Sequence, residues 1–233
     1  MNIAVVLAGG TGSRMNADKP KQFLDLEGKT VIEHSIDAFE QHPAIDAVAV
    51  VVHPQYKDLM QEIISRRNWK KVKHLIDGGS ERYLSTLNAV AAFLDMPDDT
   101  NLIFHDAARP WVSQPIIDRV VDALQDHEAV GTGIPSTDTV WEVNVDFTAK
   151  QIGGHFISRI PQRERMYRAQ TPQAFRLPLI RDAYQRALQD SNFRTTDDCG
   201  VVWRYMSEVK VHVVEGEERN RKITFPSDLM GKG

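Results

Sequence analysis

Two glycine-rich stretches carry arginines where backbone amides and positive charge could together hold a phosphate. The first, VVLAGGTGSRM (5–15), places an apolar run directly against three glycines, Thr11 and Arg14. The second, DGGSERYLS (77–85), also follows an apolar run and leads to Arg82. A glycine turn after a parallel strand presents free N–H groups at the carboxyl edge of the sheet, where α/β proteins bind phosphates. The sequence therefore predicts a local anion site.

Two named phosphate-binding motifs do not fit the first loop. The P-loop motif ends in Gly-Lys-Ser/Thr, which GGTGSRM lacks, and a G-x-G-x-x-G pattern started at Gly10 reaches Met15 where glycine is required. A lysine pair follows in DKPKQF (18–23). Taken alone, the loop could equally be a plain turn with solvated charges, because glycine-rich turns are common.

A third motif, HDAARP (105–110), places Asp106 and Arg109 directly after another apolar run. Because parallel strands end at one edge of a sheet, all three motifs are expected to converge there. Singly, Asp106 could be a helix cap, Arg82 a surface charge and Arg109 the partner of Asp106. Their joint occurrence after three strands indicates a functional site.

The elements that must position these motifs alternate between β-branched runs and segments of helical period. The runs predict strands at 3–8, 47–52, 72–76, 101–105, 129–134 and 209–215, and the periodic segments predict helices at 30–42, 56–67, 81–94, 116–124, 178–190 and 197–206. Thr30 and Glu33 form a capping box at the start of the first helix. This alternation predicts an α/β fold with a mainly parallel sheet covered by helices on both faces.

The pattern changes after Pro135. DTVWEVN and KQIGGHFISRI are two extended segments joined by a polar turn, which predicts a β-arm at about 136–165 within a single domain spanning 1–233. The apolar residues of the arm are Trp141, Val143, Ile152 and Phe156. A lone two-stranded ribbon is marginal in water, so we expect the arm to need a partner surface.

Composition argues against several classes of partner. The 28 basic and 32 acidic side chains give a net charge of -4, so no global field attracts nucleic acid or an anionic membrane. The single Cys199 cannot form an internal disulfide, which suits a reducing compartment. No apolar stretch approaches the roughly 20 residues of a membrane span, and Met1 leads into a short strand-like run rather than a signal peptide. We therefore expect a cytoplasmic protein without nucleic-acid or membrane partners.

A family resemblance covers nearly the whole chain. Eight motifs carry it, in the order LAGGTGSRM, KPKQF, GGSERYLS, HDAARP, DTV, RAQTPQAF, TDD and RKIT. With these motifs the chain resembles the cytidylyltransferases of 2-C-methyl-D-erythritol 4-phosphate, an isoprenoid precursor, and their D-ribitol 5-phosphate relatives. HDAARP together with QTPQAF is far more specific than a glycine loop. The resemblance implies a Rossmann-like nucleotidyltransferase fold, a β-arm that embraces the second subunit of a homodimer, and transfer of CMP from CTP to a polyol phosphate with release of pyrophosphate.

The resemblance also implies a role for particular residues. The implied catalytic residues are the cations Arg14, Lys21 and Lys222. They would offset the repulsion between two phosphate-bearing reactants. The implied CTP-binding residues are Leu7, Ala8, Gly9, Gly10, Thr11, Gly12, Gly79, Ser80, Arg82, Ser85, Asp106 and Ala107. The implied acceptor-binding residues are Asp106, Arg109, Thr171 and Thr196, together with Thr139 and Arg163 from the arm of the other subunit. Asp106 would also lie beside a Mg²⁺ ion that bridges phosphate oxygens.

Some features differ from the commoner methylerythritol pattern. LAGG replaces a proline-alanine-alanine-glycine, Ser80 replaces a frequent acidic residue, and IPQRERMYRAQTPQAF and TDDCGVV are closer to ribitol-type sequences. These differences slightly favour D-ribitol 5-phosphate over 2-C-methyl-D-erythritol 4-phosphate as the acceptor.

Three alternative functions stay open. The first is a dehydrogenase, which the missing third glycine argues against. The second is another sugar-phosphate nucleotidyltransferase, for which loops of the LAGG-x-G-x-R kind are also typical. The third is a non-catalytic nucleotide sensor, which the presence of Arg14, Lys21, Asp106 and Lys222 argues against.

Overall fold

The structure of the protein is a computed structural model that describes residues 1–10, 19–144 and 156–230. The strands in these residues are β1 (Asn2–Ala8), β2 (Asp25–Leu26), β3 (Lys29–Thr30), β4 (Ala47–Val52), β5 (Val72–Asp77), β6 (Asn101–Asp106), β7 (Ala129–Pro135), β8 (Glu142–Asn144), β9 (Phe156–Arg159), β10 (Tyr167–Arg176) and β11 (His212–Glu215). The helices are α1 (Val31–Glu40), α2 (Lys57–Arg67), α3 (Arg82–Ala92), α4 (Gln114–Ala123), α5 (Leu177–Ala187), α6 (Asp198–Tyr205) and α7 (Ser227–Met230).

A seven-stranded sheet of order β11-β7-β10-β6-β1-β4-β5 forms the centre of the molecule. The pairs β1–β4, β1–β6, β4–β5 and β7–β11 are parallel. Only β10, which lies between β6 and β7, runs antiparallel to its neighbours in this sheet. The predicted α/β fold with a mainly parallel sheet is confirmed.

Hydrophobic side chains on the two faces of the sheet form two separate cores. Along β1, Ala4 and Val6 face a core shared with α1, α2 and α4. The alternate residues Ile3 and Val5 face a core shared with α3, α5 and α6. Because side chains alternate along a strand, a continuous apolar run such as 3–8 can be buried on both faces. Helices cover both faces, as predicted.

Most of the predicted helices and strands begin and end within a few residues of the observed ones. The capping box of α1 is present: the carboxylate of Glu33 accepts hydrogen bonds from the backbone N–H and the hydroxyl of Thr30, each at 2.7 Å. Helix α4 begins two residues earlier than predicted, after Ser113, whose hydroxyl accepts from the N–H of Ile116. Strand β10 was not predicted, since its polar residues and Pro172 hide any apolar period.

The predicted arm contains two short antiparallel strands, β8 and β9. Residues 145–155, which include Ile152, lie outside the described part of the chain. Trp141 is 60% exposed and Phe156 is 74% exposed. In the described part of the arm, these two apolar side chains are therefore largely uncovered within one chain.

None of the helices in residues 1–10, 19–144 and 156–230 is both long enough and apolar enough to cross a bilayer.

Candidate active site at the carboxyl edge of the sheet

A pocket of about 330 Å³ opens at the edge of the sheet where the motifs were expected to meet. Ten of the residues predicted to bind CTP line this pocket, namely Leu7, Ala8, Gly9, Gly10, Gly79, Ser80, Arg82, Ser85, Asp106 and Ala107. The proposed catalytic lysines, Lys21 and Lys222, line it as well. Thr11, Gly12 and Arg14 lie outside the described residues, so their predicted roles stay predictions.

The two glycine loops are packed against each other at the base of the pocket. A Cβ on Gly9 would lie 2.6 Å from Oγ of Ser85, and a Cβ on Gly78 would lie 2.9 Å from Cα of Gly9. Ser85 is buried, and its Oγ accepts a hydrogen bond of 3.1 Å from the N–H of Gly79. Glycine is therefore required at positions 9 and 78 because any side chain there would separate the loops.

The side chain of Gln22, to which the sequence analysis gave no role, binds the backbone of the first glycine loop. It lies in a short 3₁₀ turn, Lys21–Phe23, and is only 3% exposed. Its Nε2 donates to the carbonyl oxygens of Ala8 and Gly10, each at 2.8 Å.

Four charged side chains form a chain of alternating sign that leads from the pocket into the core. Nζ of Lys222 lies 2.7 Å from Oδ2 of Asp106, and Oδ1 of Asp106 lies 3.3 Å from Nε of Arg82. Nη1 of Arg82 lies 2.8 Å from Oδ2 of Asp198. Burial alone would raise the pKa of Asp106, but the charges of Arg82 and Lys222 hold it well below its usual range. Asp106 is therefore ionised at neutral pH.

Asp198 is fully buried at the inner end of this chain, and the sequence analysis assigned it no role. Its Oδ1 accepts hydrogen bonds from the hydroxyls of Thr86 at 2.9 Å and Tyr184 at 2.6 Å. Burial, and after it the negative charge of Asp198, raise the pKa of Tyr184. Asp198 is the last residue of the TDD motif (196–198), so this motif could have drawn attention to it, but only Thr196 of the motif was given a role, in acceptor binding.

The segment that carries Lys222 is held against the end of the sheet by several hydrogen bonds. Nδ2 of Asn220 donates to the carbonyl of Thr171 at 2.8 Å and to Oε1 of Gln170 at 3.1 Å. The N–H of Ile223 donates to the carbonyl of Ala108 at 2.8 Å. Nζ of Lys21 donates to the carbonyl of Ile223 at 2.7 Å, which brings both lysines to the same side of the pocket.

A neutral histidine and a threonine fix the backbone at Asp106. Burial lowers the pKa of His105 to about 4, so its ring is neutral at pH 7. Because a carbonyl can only accept, Nε2 of His105 donates to Arg109 O at 3.0 Å and Nδ1 accepts from Oγ1 of Thr171 at 3.1 Å. The same Oγ1 accepts from the N–H of Asp106 at 3.1 Å. Thr171 is therefore beside Asp106, as the acceptor-site prediction requires.

Of the predicted acceptor residues, Asp106 lines the pocket, whereas Thr171, Arg109, Thr196, Thr139 and Arg163 do not. Nη1 of Arg109 donates to Asn220 O at 2.8 Å. Thr196 is exposed. Thr139 and Arg163 are exposed on the arm, where Nη1 of Arg163 lies 3.5 Å from the carbonyl of Thr137 in the same chain. The structure of one chain therefore does not bring the arm residues to Asp106.

The described residues offer little to a metal ion by themselves. They contain no group of three or more His, Cys, Asp or Glu side chains suited to holding a cation. Both carboxylate oxygens of Asp106 already have cationic partners. Mg²⁺ in phosphoryl-transfer sites commonly takes one or two carboxylates plus substrate phosphates and keeps several waters. This donor set fits a metal that is carried mainly by the nucleotide, with Asp106 and Glu81 as the carboxylates that line the pocket.

The model of the family named IspD, 2-C-methyl-D-erythritol 4-phosphate cytidylyltransferase, matches residues 2–231. The chain belongs to this family. As an IspD-family member it is a cytidylyltransferase, a nucleotidyltransferase that uses CTP, and the dehydrogenase alternative is wrong.

Individual relatives and a solved structure agree with this assignment. The 2-C-methyl-D-erythritol 4-phosphate cytidylyltransferase of Thermobifida fusca is 44% identical over 226 residues, which cover 97% of this chain and 89% of that protein. The bifunctional ribulose 5-phosphate reductase/CDP-ribitol pyrophosphorylase Bcs1 of Haemophilus influenzae is 40% identical over 228 residues, 98% of this chain but 46% of that protein. The crystal structure of 4-diphosphocytidyl-2C-methyl-D-erythritol synthase from Anaerococcus prevotii matches with a TM-score of 0.83 at 28% identity, covering 99% of this chain and 93% of that one.

Proposed function

We propose that this IspD-family protein transfers CMP from CTP to 2-C-methyl-D-erythritol 4-phosphate and releases pyrophosphate. The observation that carries this proposal is the pocket in which Lys21 and Lys222 lie beside two glycine loops and an ionised Asp106. The family match over residues 2–231 and the 44% identity to the Thermobifida fusca relative support this acceptor.

The charges of the pocket suit a reaction between two anions. A phosphate oxygen of the acceptor attacks the α-phosphorus of CTP, a new P–O bond forms, and the bond to the bridging oxygen of the departing pyrophosphate breaks. Lys21 and Lys222 would offset the repulsion and stabilise the charge that develops in the transition state. Asp106 would hold the ammonium group of Lys222 in place until the phosphates arrive.

D-Ribitol 5-phosphate is the second candidate acceptor. The ribitol-type motifs favoured it, and that preference is not confirmed, because the family model and the Thermobifida fusca relative carry the methylerythritol name. The observation in its favour is the 40% identity over 228 residues to the Haemophilus influenzae protein named as a CDP-ribitol pyrophosphorylase. The two acceptors differ in a methyl branch and in chain length, so the kcat/KM of one enzyme should differ between them.

Pyrophosphate release with CTP and a panel of acceptors tests the proposal. The panel contains 2-C-methyl-D-erythritol 4-phosphate, D-ribitol 5-phosphate and glycerol 3-phosphate, and the Lys222→Ala variant is the control for contaminating activity. We expect the highest kcat/KM with the methylerythritol phosphate. A higher value with ribitol phosphate would transfer the proposal to the second candidate. A preference for ATP, GTP or UTP over CTP would contradict both.

A divalent cation is part of the proposed reaction. When bound, Mg²⁺ would neutralise charge on the triphosphate, and the donor set described above fits a cation carried mainly by the nucleotide. The cations of the pocket alone leave excess negative charge on a triphosphate and an acceptor phosphate.

We also propose that the active enzyme is a homodimer joined through the arm. The uncovered apolar side chains of the arm support this, since an isolated ribbon is marginal in water. In a two-fold dimer, Thr139 and Arg163 of one subunit would reach the acceptor site of the other. Their exposure in the single chain is compatible with such an arrangement.

A further inference from the structure

Gln22 contacts the glycine loop at two points on either side of Gly9. Its amide nitrogen, which has two protons to donate, lies 2.8 Å from Ala8 O and 2.8 Å from Gly10 O. The side chain is almost fully buried, and Gln22 also lines the pocket. One side chain thus holds the carbonyl groups of residues 8 and 10, on either side of Gly9, with a single nitrogen.

The described residues of the protein hold Gly9 and Gly10 of this loop unequally. At Gly9, the neighbouring loop is so close that a Cβ would lie 2.6 Å from Ser85 Oγ. At Gly10, a Cβ would meet nothing within 4 Å. Glycine has the widest conformational freedom of any residue, so packing alone does not fix the backbone at Gly10. Within the described residues, the hydrogen bond from Gln22 is the contact that fixes it.

Fixing a carbonyl also fixes the amide on the same peptide. In a trans peptide the C=O and N–H groups point in opposite directions. With Ala8 O bound to Gln22, the N–H of Gly9 is directed away from Gln22. A backbone N–H held in this way can donate to an anion, and its orientation must be set before the ligand arrives if affinity is not to be lost in ordering the backbone.

We propose that Gln22 is a positioning residue that preorganises residues 8–10, the described part of the first glycine loop, for the β- and γ-phosphates of CTP. The inference rests on the proposed function, since it takes CTP as the ligand. Gln22 touches neither the reacting atoms nor the nucleotide in this role, and it acts through the loop carbonyls. A glutamine that merely stabilises the fold would not distinguish a nucleoside triphosphate from a monophosphate.

Isothermal titration calorimetry on the full chain with CTP and with CMP separates these roles. Gln22→Met keeps the length of the side chain and removes both donated protons. Gln22→Asn keeps the donors on a shorter side chain that cannot span both carbonyls. Gln114→Met is the matched control, because Nε2 of Gln114 likewise donates to a backbone carbonyl, Ala38 O at 2.7 Å, and neither residue lines the pocket.

We expect Gln22→Met to weaken CTP binding about tenfold, the usual effect of losing such hydrogen bonds, while the Kd for CMP changes less than about twofold. Gln22→Asn should give an intermediate loss, and Gln114→Met should change neither Kd. An unchanged CTP affinity in both Gln22 variants, or equal weakening of CTP and CMP, would overturn the inference. Failure of the wild-type protein to bind CTP would instead refute the proposed function.

Discussion

Replacing Asp198 by asparagine should show whether the buried end of the ion-pair chain controls the pocket. The Asp198 carboxylate is fully buried and accepts hydrogen bonds from Arg82, Thr86 and Tyr184. Asparagine has nearly the same shape but no charge. Its NH₂ group, which can only donate, would face one of these three donors and could not bind it. In Asp198→Asn, the guanidinium group of Arg82 therefore loses its inner partner and, among the acidic side chains of the described residues, keeps Asp106.

The expected loss of stability follows from this geometry. Removing one partner of a buried ion pair typically costs about 3–5 kcal/mol. The Arg82 side chain is 26% exposed, so solvent can partly compensate, and we expect about 3 kcal/mol of lost unfolding free energy. An Arg82 side chain that is no longer anchored also ceases to hold Asp106, and we expect kcat/KM for CTP to fall about 10- to 100-fold.

Urea unfolding and pyrophosphate release, measured on the same preparations, test this reasoning. Tyr184→Phe is the matched control: it removes one hydrogen bond from the same carboxylate without changing any charge. That variant should lose about 1–2 kcal/mol of stability but keep its activity within about threefold.

A double-mutant cycle between Asp198→Asn and Arg82→Met identifies the route of the effect. If Asp198 acts through Arg82, Asp198→Asn adds little to the loss of kcat/KM that Arg82→Met causes alone. Additive losses, or a destabilised Asp198→Asn variant with full activity, would refute the argument and leave Asp198 as a purely structural residue.

Four further predictions follow from the site and the fold. Lys21→Ala and Lys222→Ala should each lower turnover at least about a hundredfold with native circular dichroism, because each removes a cation beside the α-phosphate; unchanged turnover would show that the assignment is wrong. Excess chelator should abolish pyrophosphate release, and added Mg²⁺ should restore it. Co-refolding inactive Lys222→Ala and Arg163→Ala chains should recover up to about a quarter of wild-type activity, since half of the dimers are hybrids with one intact site; inactive hybrids would remove Arg163 from the acceptor site. Burial raises the pKa of Asp37, but hydrogen bonds from Lys29, Trp69 and Arg67 outweigh burial and lower it. The ionised Asp37 therefore stabilises the fold above the ordinary pKa of 3.8, and this stabilisation is lost as the pH falls below that value. In urea unfolding, Asp37→Asn should have an unfolding free energy about 3 kcal/mol below that of the wild type at pH 7, and the difference should shrink towards pH 3.

The convergence of three motifs on one pocket could be predicted because it depends on a general rule. Strands β1, β5 and β6 are parallel and end at one edge, so the residues that follow them must be neighbours. Gly9, Gly79 and Asp106 are separated by long stretches of sequence, yet this rule alone places them together. Apolar runs and helical period were sufficient to identify these strands and the helices between them.

Strand β10 could not be predicted because its buried hydrophobic residues are confined to Ala174 and Phe175 near its end, and the buried residues before them are polar or proline. Gln170 and Gln173 are buried at an irregularity where β10 shifts its register against β7. Each holds a neighbouring segment: Nε2 of Gln170 donates to Glu217 O at 2.8 Å, and Oε1 of Gln173 accepts from the N–H of Asp198 at 3.1 Å. A hydrophobicity pattern detects buried apolar side chains, but it does not detect amides that are buried because they bind backbone.

The roles of Asp198 and Gln22 were missed for a related reason. Asp198 and Arg82 are 116 positions apart, and nothing local in either stretch indicates that they pair. Gln22 stands beside a lysine that could be assigned by resemblance, whereas its own contacts are with backbone atoms of another loop. Residues that act through other residues become visible only when the distances are known.

The order of charges explains why the same pocket can be stable when empty and still accept a triphosphate. Arg82 is held by acids on both sides, Asp106 and Asp198, so neither of its neighbours is left as a buried unpaired charge. Lys222 stands at the outer end, 39% exposed, and is paired with Asp106 alone among the acidic side chains of the described residues. An arriving phosphate can therefore take the ammonium group of Lys222 while Asp106 keeps Arg82 as its counter-ion. For this reason we expect substitution of Lys222 to lower activity with little effect on folding, and substitution of Asp198 to lower both.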